Sequence, residues 1–220
     1  MKKYLFNFAQ EGKSLILVTM AFSILSLILY YRFEYDVFLT SFYIQTLFFL
    51  VCCFFFRDPI REITVENEDK FLSPADGTIL SIQNIKDPDI GDSNKIAIFL
   101  SFFNVHRQWV PSNSQVLNMY YNPGRYFIAF KDKASLDNEH TSILFKDRYD
   151  NPFRIKQIAG FVARRIVNHM DPNSNVCQGE KLGFIKFGSR VEIVVPKNFE
   201  VNVKKGMKVK GCKTIVGRFK

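Results

Sequence analysis

The chain has 220 residues, a net charge of +9, 47% hydrophobic residues and four cysteines. This length allows one domain with an additional segment. The cysteines form neither a CxxC pair nor a cluster with histidine, which argues against a zinc site and a disulfide framework, so we expect no metal. The positive charge comes without a compact basic run or an RNA-binding signature. We therefore expect an anionic membrane surface as its partner, and no nucleic acid.

Two uncharged apolar runs occupy the first quarter of the chain, at 14–31 and 37–56. At about 1.5 Å per residue, each run is long enough to cross a hydrocarbon core of about 30 Å. The alternative is a pair of buried core helices, but both runs are apolar on all faces rather than along one stripe. A cleaved signal peptide is disfavoured because no small-residue cleavage site follows the first run. We predict a transmembrane hairpin within an anchor of residues 1–56.

The basic residues around this hairpin predict its orientation. Three lysines precede the hairpin and two arginines follow it closely, whereas its short turn holds only Arg32. Because basic residues are enriched on the cytoplasmic side of membranes, both ends should face the cytoplasm. The expected location is the cytoplasmic membrane, with the domain of residues 57–220 on the cytoplasmic side.

After the hairpin, short apolar runs alternate with turn residues at intervals of roughly ten, which is typical of a mostly β domain of barrel or sandwich type. We predict strands at 78–85, 95–103, 115–121, 142–146, 153–166, 183–195, 201–209 and 214–219. One short helix is expected around 163–169. With the hairpin, the predicted fold class is α+β.

Three polar residues in apolar surroundings are candidates for chemistry. Gly188-Ser189 lies near a strand junction, and a serine can attack the carbonyl of a preceding glycine because no side chain blocks the approach. Asp76 comes just before a predicted strand and His106 at the end of an apolar one. A histidine held by a carboxylate can take the proton of a serine hydroxyl. Taken singly, each residue also fits a purely structural role in a turn or at a strand end.

Seven short motifs follow one another along the chain: FRDP at 56–59, SPADG at 73–77, SFFNVHR at 101–107, QIAG at 157–160, ARRI at 163–166, GEKLG at 179–183 and FGSR at 187–190. Each is weak alone. The ordered set closely resembles the phosphatidylserine decarboxylase family, and the size and the two apolar runs resemble its short bacterial branch.

The resemblance implies a proenzyme that cuts itself between Gly188 and Ser189. Attack by the Ser189 hydroxyl would give an ester, and elimination and hydrolysis would leave a pyruvoyl group on the small chain. That group would form a Schiff base with phosphatidylserine in the membrane and support its decarboxylation to phosphatidylethanolamine and carbon dioxide. Asp76 and His106 are carried over as partners of Ser189. The large and small chains would stay together as a heterodimer, and a higher oligomer is left open.

Three positions depart from the family pattern. Larger members have a second histidine where this chain has Trp109, and Asn104 stands where an aspartate is usual. His140 replaces an arginine, which could alter a contact to the substrate. Together with Arg107 and Arg164, His140 is a candidate substrate-binding residue.

The alternative hypothesis is a protein without catalytic activity. The net charge and the three departures would also fit a non-catalytic, membrane-tethered β module that binds anionic lipid or a protein partner. Such a module would release no carbon dioxide and would not depend on Ser189.

Overall fold

The structure is a computed structural model that describes residues 7–63, 70–124, 138–160, 165–186 and 189–220. The chain divides into two units, Met1–Ile60 and Arg61–Lys220. The first unit is helical and the second is built of β-strands. This confirms the predicted α+β fold class.

The helical unit consists of α1 (Gln10–Phe33) and α2 (Asp36–Phe55). Both helices are long and apolar enough to cross a membrane. Helix α1 extends beyond the apolar run at 14–31, and α2 nearly coincides with the run at 37–56. Neither helix has a side-chain hydrogen bond at its N-cap, and a left-handed Glu34 ends α1 by donating its N–H to the carbonyl of Tyr30.

Small and polar residues form the face of α1 that packs on α2. The buried residues of α1 recur every three or four positions: Gly12, Ile16, Thr19, Ser23 and Ser26. The Ser23 hydroxyl lies 2.6 Å from that of Thr46, and Ser26 donates to Gln45 of α2. Small residues allow close helix approach, and hydrogen bonds across helices satisfy polar groups in an apolar setting. The arrangement therefore suits a pair of helices surrounded by lipid.

Fourteen strands are described in the second unit: β1 (Phe71–Leu72), β2 (Gly77–Asp87), β3 (Gly91–Leu100), β4 (Arg107–Trp109), β5 (Ser114–Asn122), β6 (His140–Asp147), β7 (Pro152–Ala159), β8 (Ile166–Asn168), β9 (Asn175–Val176), β10 (Lys181–Ile185), β11 (Ser189–Pro196), β12 (Glu200–Val201), β13 (Lys208–Val209) and β14 (Ile215–Arg218). Eight of them form one antiparallel sheet in the order β13-β2-β3-β11-β7-β6-β5-β9. Two three-stranded sheets have the orders β4-β10-β8 and β1-β14-β12.

The central strand of the large sheet, β11, pairs with β3 on one side and β7 on the other. Successive side chains of a strand point to opposite faces. Accordingly, Val191, Ile193 and Val195 belong to the hydrophobic core with Ile96 and Ile98 of β3. Ser189 shares this parity, so its side chain points to the core face of the sheet.

Several predicted boundaries differ from the structure. β3 ends at Leu100, so Phe102 and Phe103 belong to a turn instead of a strand. The strand predicted at 153–166 is two strands, β7 and β8, in different sheets. The helix expected around 163–169 is wrong where the structure describes it, because 166–168 form β8, paired with β10.

Candidate active site

Strand register brings the three candidate residues to one edge of the large sheet. Ser189, the first residue of β11, pairs with Leu100 at the end of β3 and with Ala159 at the end of β7. Asp76 directly precedes β2, whose Thr78 pairs with Phe99 of β3. His106 follows the turn that leaves β3. We call this edge, where β2, β11 and β6 begin and β3, β7 and β5 end, the Ser189 edge.

Ser189 is fully buried at this edge. Its hydroxyl has no hydrogen-bond partner among the described residues. A buried polar group without a partner is costly and is uncommon in folded proteins. Within the described residues, the hydroxyl is therefore buried without a hydrogen bond that would compete with chemistry. Gly188, the other half of the predicted cleavage site, lies outside the described residues.

His106 is completely buried, and its ring orientation is set by its own loop. Nδ1 lies 3.0 Å from the carbonyl oxygen of Asn104. Because a carbonyl oxygen only accepts hydrogen bonds, Nδ1 carries the proton and Nε2 of the neutral ring is left as the basic nitrogen. The loop thus selects the tautomer that a general base requires.

Asp76 contacts Arg61 instead of His106. Its two carboxylate oxygens accept hydrogen bonds from the Arg61 guanidinium at 2.5 and 2.7 Å, and Oδ1 also accepts from the Gly211 N–H at 2.8 Å. Two strand spacings separate β2 from β11, which corresponds to about 10 Å. In this arrangement Asp76 forms part of a buried ion pair at the Ser189 edge, and its hydrogen bonds do not reach Ser189 or His106.

The predicted substrate-binding residues lie in different settings. Arg107 is buried, with Nη1 3.2 Å from Nε2 of His169 and its guanidinium over the ring of Phe184. His140 begins β6 at the Ser189 edge, and its Nδ1 donates to the Asn138 carbonyl at 2.8 Å. Arg164 lies outside the described residues.

The pKa of His140 is lower than its ordinary value of 6.5. Burial is the largest cause, and the positive charge of Lys156 acts in the same direction. The hydrogen bond to Asn138 and the charge of Glu192 oppose the shift without reversing it. His140 is therefore mainly neutral near pH 7. Because its one ring proton lies on Nδ1 and is donated to Asn138, Nε2 can only accept a hydrogen bond.

A chain of buried amides supports the His106 loop, and sequence reasoning missed it. Gln157 Nε2 donates to Gln108 Oε1 at 2.9 Å, and Gln108 Nε2 donates to the carbonyl of His106 at 2.7 Å. Both glutamines are fully buried. Gly183 leaves room for this chain, since a Cβ there would lie 2.6 Å from Gln157 Nε2. The available signal was the QIAG motif, which contains Gln157.

Two departures from the family pattern have structural roles. Asn104 Oδ1 accepts hydrogen bonds from the N–H and the hydroxyl of Ser101, both at 2.8 Å, so the amide oxygen closes the turn before His106. The Trp109 ring lies 4.2 Å from the Arg61 guanidinium, a cation–π contact that supports the ion pair with Asp76. The sequence did not predict this contact, because the charge of Arg61 indicated only the orientation of the hairpin.

Arg190 follows Ser189 on the opposite face of β11. It is fully buried, and its Nη2 lies 2.7 Å from Oε1 of Glu192. The pKa of nearby Lys156 is lowered, chiefly by burial. The ion pair with Glu192 thus holds Arg190 on the face of β11 opposite to the Ser189 side chain.

No group of three or more histidine, cysteine or acidic side chains that could hold a metal ion occurs in the described ranges. What the edge does offer is a buried serine hydroxyl, a histidine in a defined tautomer, and backbone held by buried amides. Those are the components of nucleophilic chemistry at a backbone carbonyl.

Comparisons with known proteins agree on one family. The sequence model of the family described as phosphatidylserine decarboxylase matches residues 48–217. A phosphatidylserine decarboxylase proenzyme of Cytophaga hutchinsonii is 36% identical over 215 residues, which cover 96% of this chain and 97% of that protein. Proteins of the same name from Rickettsia bellii and Parabacteroides distasonis are 40% and 36% identical over 173 and 178 residues. These matches cover 76% and 80% of this chain, and 74% and 81% of the two relatives. The chain belongs to the phosphatidylserine decarboxylase family.

Proposed function

We propose that this protein decarboxylates phosphatidylserine to phosphatidylethanolamine, after cutting itself between Gly188 and Ser189. The observation that carries the proposal is the buried Ser189 hydroxyl, which has no hydrogen-bond partner among the described residues, at the sheet edge that also holds His106. Membership in a family whose curated relatives are named proenzymes supports the same reading.

Self-cleavage uses groups of the chain itself. His106 Nε2 takes the proton of the Ser189 hydroxyl, whose oxygen attacks the carbonyl carbon of Gly188. The peptide C–N bond breaks and an ester forms, with a free amine on residue 189. Loss of the Cα proton then expels the Gly188 carboxylate and leaves dehydroalanine, which water hydrolyses to ammonia and a pyruvoyl group.

The site fits that group, because a buried hydroxyl without a described partner can be replaced by a carbonyl with no structural hydrogen bond lost there. When present, a pyruvoyl carbonyl supplies an electron sink for decarboxylation of an amine substrate. Asn104 and the buried amides hold the His106 loop, which supports a second role for Nε2 as the group that would give a proton to the product. Asp76 contributes by fixing the start of β2 through Arg61.

The membrane part of the proposal rests on the two helices. We propose that residues 1–56 anchor the protein in the cytoplasmic membrane as a transmembrane hairpin, with residues 57–220 as the catalytic domain on the cytoplasmic side. The substrate is then a lipid of the same membrane. After cleavage, residues 1–188 and 189–220 remain together as two chains of one enzyme.

Arg107, Arg164 and His140 remain candidates for binding the substrate headgroup. His140 lies at the Ser189 edge, and this position supports such a role. Because the neutral ring already donates from Nδ1 to Asn138, its Nε2 would accept a hydrogen bond, such as one from the amino group of the headgroup.

The first test compares wild-type protein with Ser189→Ala on denaturing gels and with carboxyl-labelled phosphatidylserine. We expect two fragments and labelled carbon dioxide from the wild type, and one full-length band without activity from Ser189→Ala. Ser93→Ala is a matched control, because Ser93 is a fully buried serine at the other end of β3. It should be cut normally.

An intact wild-type chain that still releases carbon dioxide would refute the pyruvoyl mechanism. A cut chain that binds phosphatidylserine without releasing carbon dioxide would refute the decarboxylase and favour a lipid-binding module.

A further inference from the structure

An exposed pair of phenylalanines forms the tip of the turn between β3 and His106. Phe102 is 38% exposed and Phe103 is 74% exposed. Their rings pack edge to face, with centroids 5.7 Å apart. Single exposed apolar residues are ordinary on protein surfaces, but two adjacent phenylalanines on a projecting turn form an apolar tip.

The turn is closed by polar groups and not by these rings. Asn104 N–H donates to the Ser101 carbonyl at 3.0 Å, and Asn104 Oδ1 accepts from the N–H and hydroxyl of Ser101. These hydrogen bonds hold the backbone of the turn. The exposed surface of the two rings is available for a contact outside the domain.

The position of the tip indicates what it meets. It lies at the Ser189 edge, beside the end of β3 whose last residue pairs with Ser189. Tyr121, which is 51% exposed, lies near the end of β5 at the same edge. The chain also carries two helices long and apolar enough to cross a membrane, and under the proposed function this anchor would keep a bilayer close to the domain. Aromatic side chains are favoured where apolar and wet regions of a membrane meet.

We propose that the Phe102–Phe103 tip enters the interfacial layer of a phospholipid bilayer and holds the Ser189 edge at the level of the lipid headgroups. This proposal rests on the proposed function for its purpose, since it brings a lipid headgroup to Ser189 without removing the lipid from the membrane. An aromatic pair needs only shallow insertion, about 5–10 Å into the headgroup and acyl boundary, as for interfacial helices.

The test places a tryptophan at the tip of the full-length chain in phosphatidylcholine vesicles, prepared with and without lipid brominated near the top of one acyl chain. Phe103→Trp should show blue-shifted emission that brominated lipid quenches and aqueous iodide does not. Tyr149→Trp is the matched control. Tyr149 is 68% exposed in the turn between β6 and β7, at the opposite edge of the sheet. It should show the reverse pattern. The buried Trp109 gives the background in unmodified protein.

Quenching of Phe103→Trp by iodide and not by brominated lipid would overturn the proposal. This readout needs no catalysis, so its result is separate from that of the proposed function. A chain that inserts the tip but releases no carbon dioxide would sink the decarboxylase and leave the membrane contact standing.

A kinetic comparison tests the consequence of the contact. The double variant Phe102→Ser/Phe103→Ser should raise KM for long-chain phosphatidylserine in vesicles by about tenfold. Turnover of a short-chain phosphatidylserine dissolved below its micelle concentration should be unchanged. An equal loss on both substrates would show that the rings act on the His106 loop, and would refute a role at the membrane.

Discussion

The ion pair between Arg61 and Asp76 predicts a large and specific loss of stability when only one partner is removed. The two side chains are 5% and 12% exposed. In Arg61→Met the Asp76 carboxylate keeps the Gly211 N–H as a donor but loses both guanidinium bonds. Replacing Asp76 by asparagine in the same chain removes the unpaired charge.

Breaking a buried pair from one side costs about 3–5 kcal/mol, and we take about 3 because one N–H donor remains. A change of 1 kcal/mol shifts Tm by about 2–4 °C in a domain of 150–250 residues, the size class of Arg61–Lys220. Arg61→Met should therefore lower Tm by about 6–12 °C. Arg61→Met/Asp76→Asn should recover most of this loss, because neither charge is then buried alone.

The assay is thermal unfolding of the full-length chain in detergent, followed by Trp109 fluorescence. Trp109 is the only tryptophan and stacks on Arg61, so it reports directly on this site. A Ser189→Ala background keeps the chain in one piece. Arg218→Met is the control, because it breaks an exposed pair with Glu200 and should shift Tm by less than about 2 °C. A loss in Arg61→Met no larger than that of Arg218→Met, or a double variant as unstable as the sum of the single ones, would refute the reasoning.

Three further predictions concern other buried groups. Burial alone would raise the pKa of Asp87, but hydrogen bonds from Arg154 and from two backbone N–H groups outweigh burial and lower that pKa below 3.8. The Asp87 carboxylate therefore stabilises the fold at pH values above 3.8, and this contribution is lost as the pH falls through the lowered pKa of the folded state. The Tm advantage of wild type over Asp87→Asn should therefore shrink below about pH 4. Burial raises the pKa of the Cys212 thiol to about 12, so iodoacetamide at pH 8 should modify the exposed Cys177 and leave Cys212 unmodified; equal labelling would count against this placement. Gln157→Leu removes the hydrogen bond to Gln108 and should slow the appearance of the small fragment on gels. Unchanged processing would show that these buried amides contribute to stability alone.

Composition and period were enough to predict the elements that depend on local sequence. The two apolar runs predicted α1 and α2, because a long uncharged run favours a helix whatever follows it. The longer strands of the large sheet were predicted from alternating apolar runs, although the strand predicted at 183–195 joins β10 to β11 and β3 ends earlier than predicted. The apolar run of β3 continues into the turn, where Phe102 and Phe103 lie outside the hydrophobic core.

The contacts that could not be predicted join residues far apart in the chain. β4 is three residues long and exists because residues 107–109 pair with β10, more than seventy positions later. Gln157 and Gln108 are 49 positions apart, and no local pattern connects them. Arg61 contributed only to the predicted orientation of the hairpin, because the charge of an arginine does not indicate which carboxylate it will bind. Asp76 was singled out as a partner of His106, yet its carboxylate contacts Arg61 and the Gly211 N–H instead.

The central position of β11 determines what a cut before Ser189 would do to the molecule as a whole. β11 is paired along eight positions with β3 and along six with β7. A fragment that begins at Ser189 would stay in place as an internal strand, so cleavage would leave the native assembly intact while dividing the chain. Refolding would change in kind, because the uncut chain folds as one molecule and the cut pair must first meet in solution. Denatured precursor should thus recover at a rate independent of protein concentration, while the processed enzyme should recover faster at higher concentration and scarcely at all when dilute.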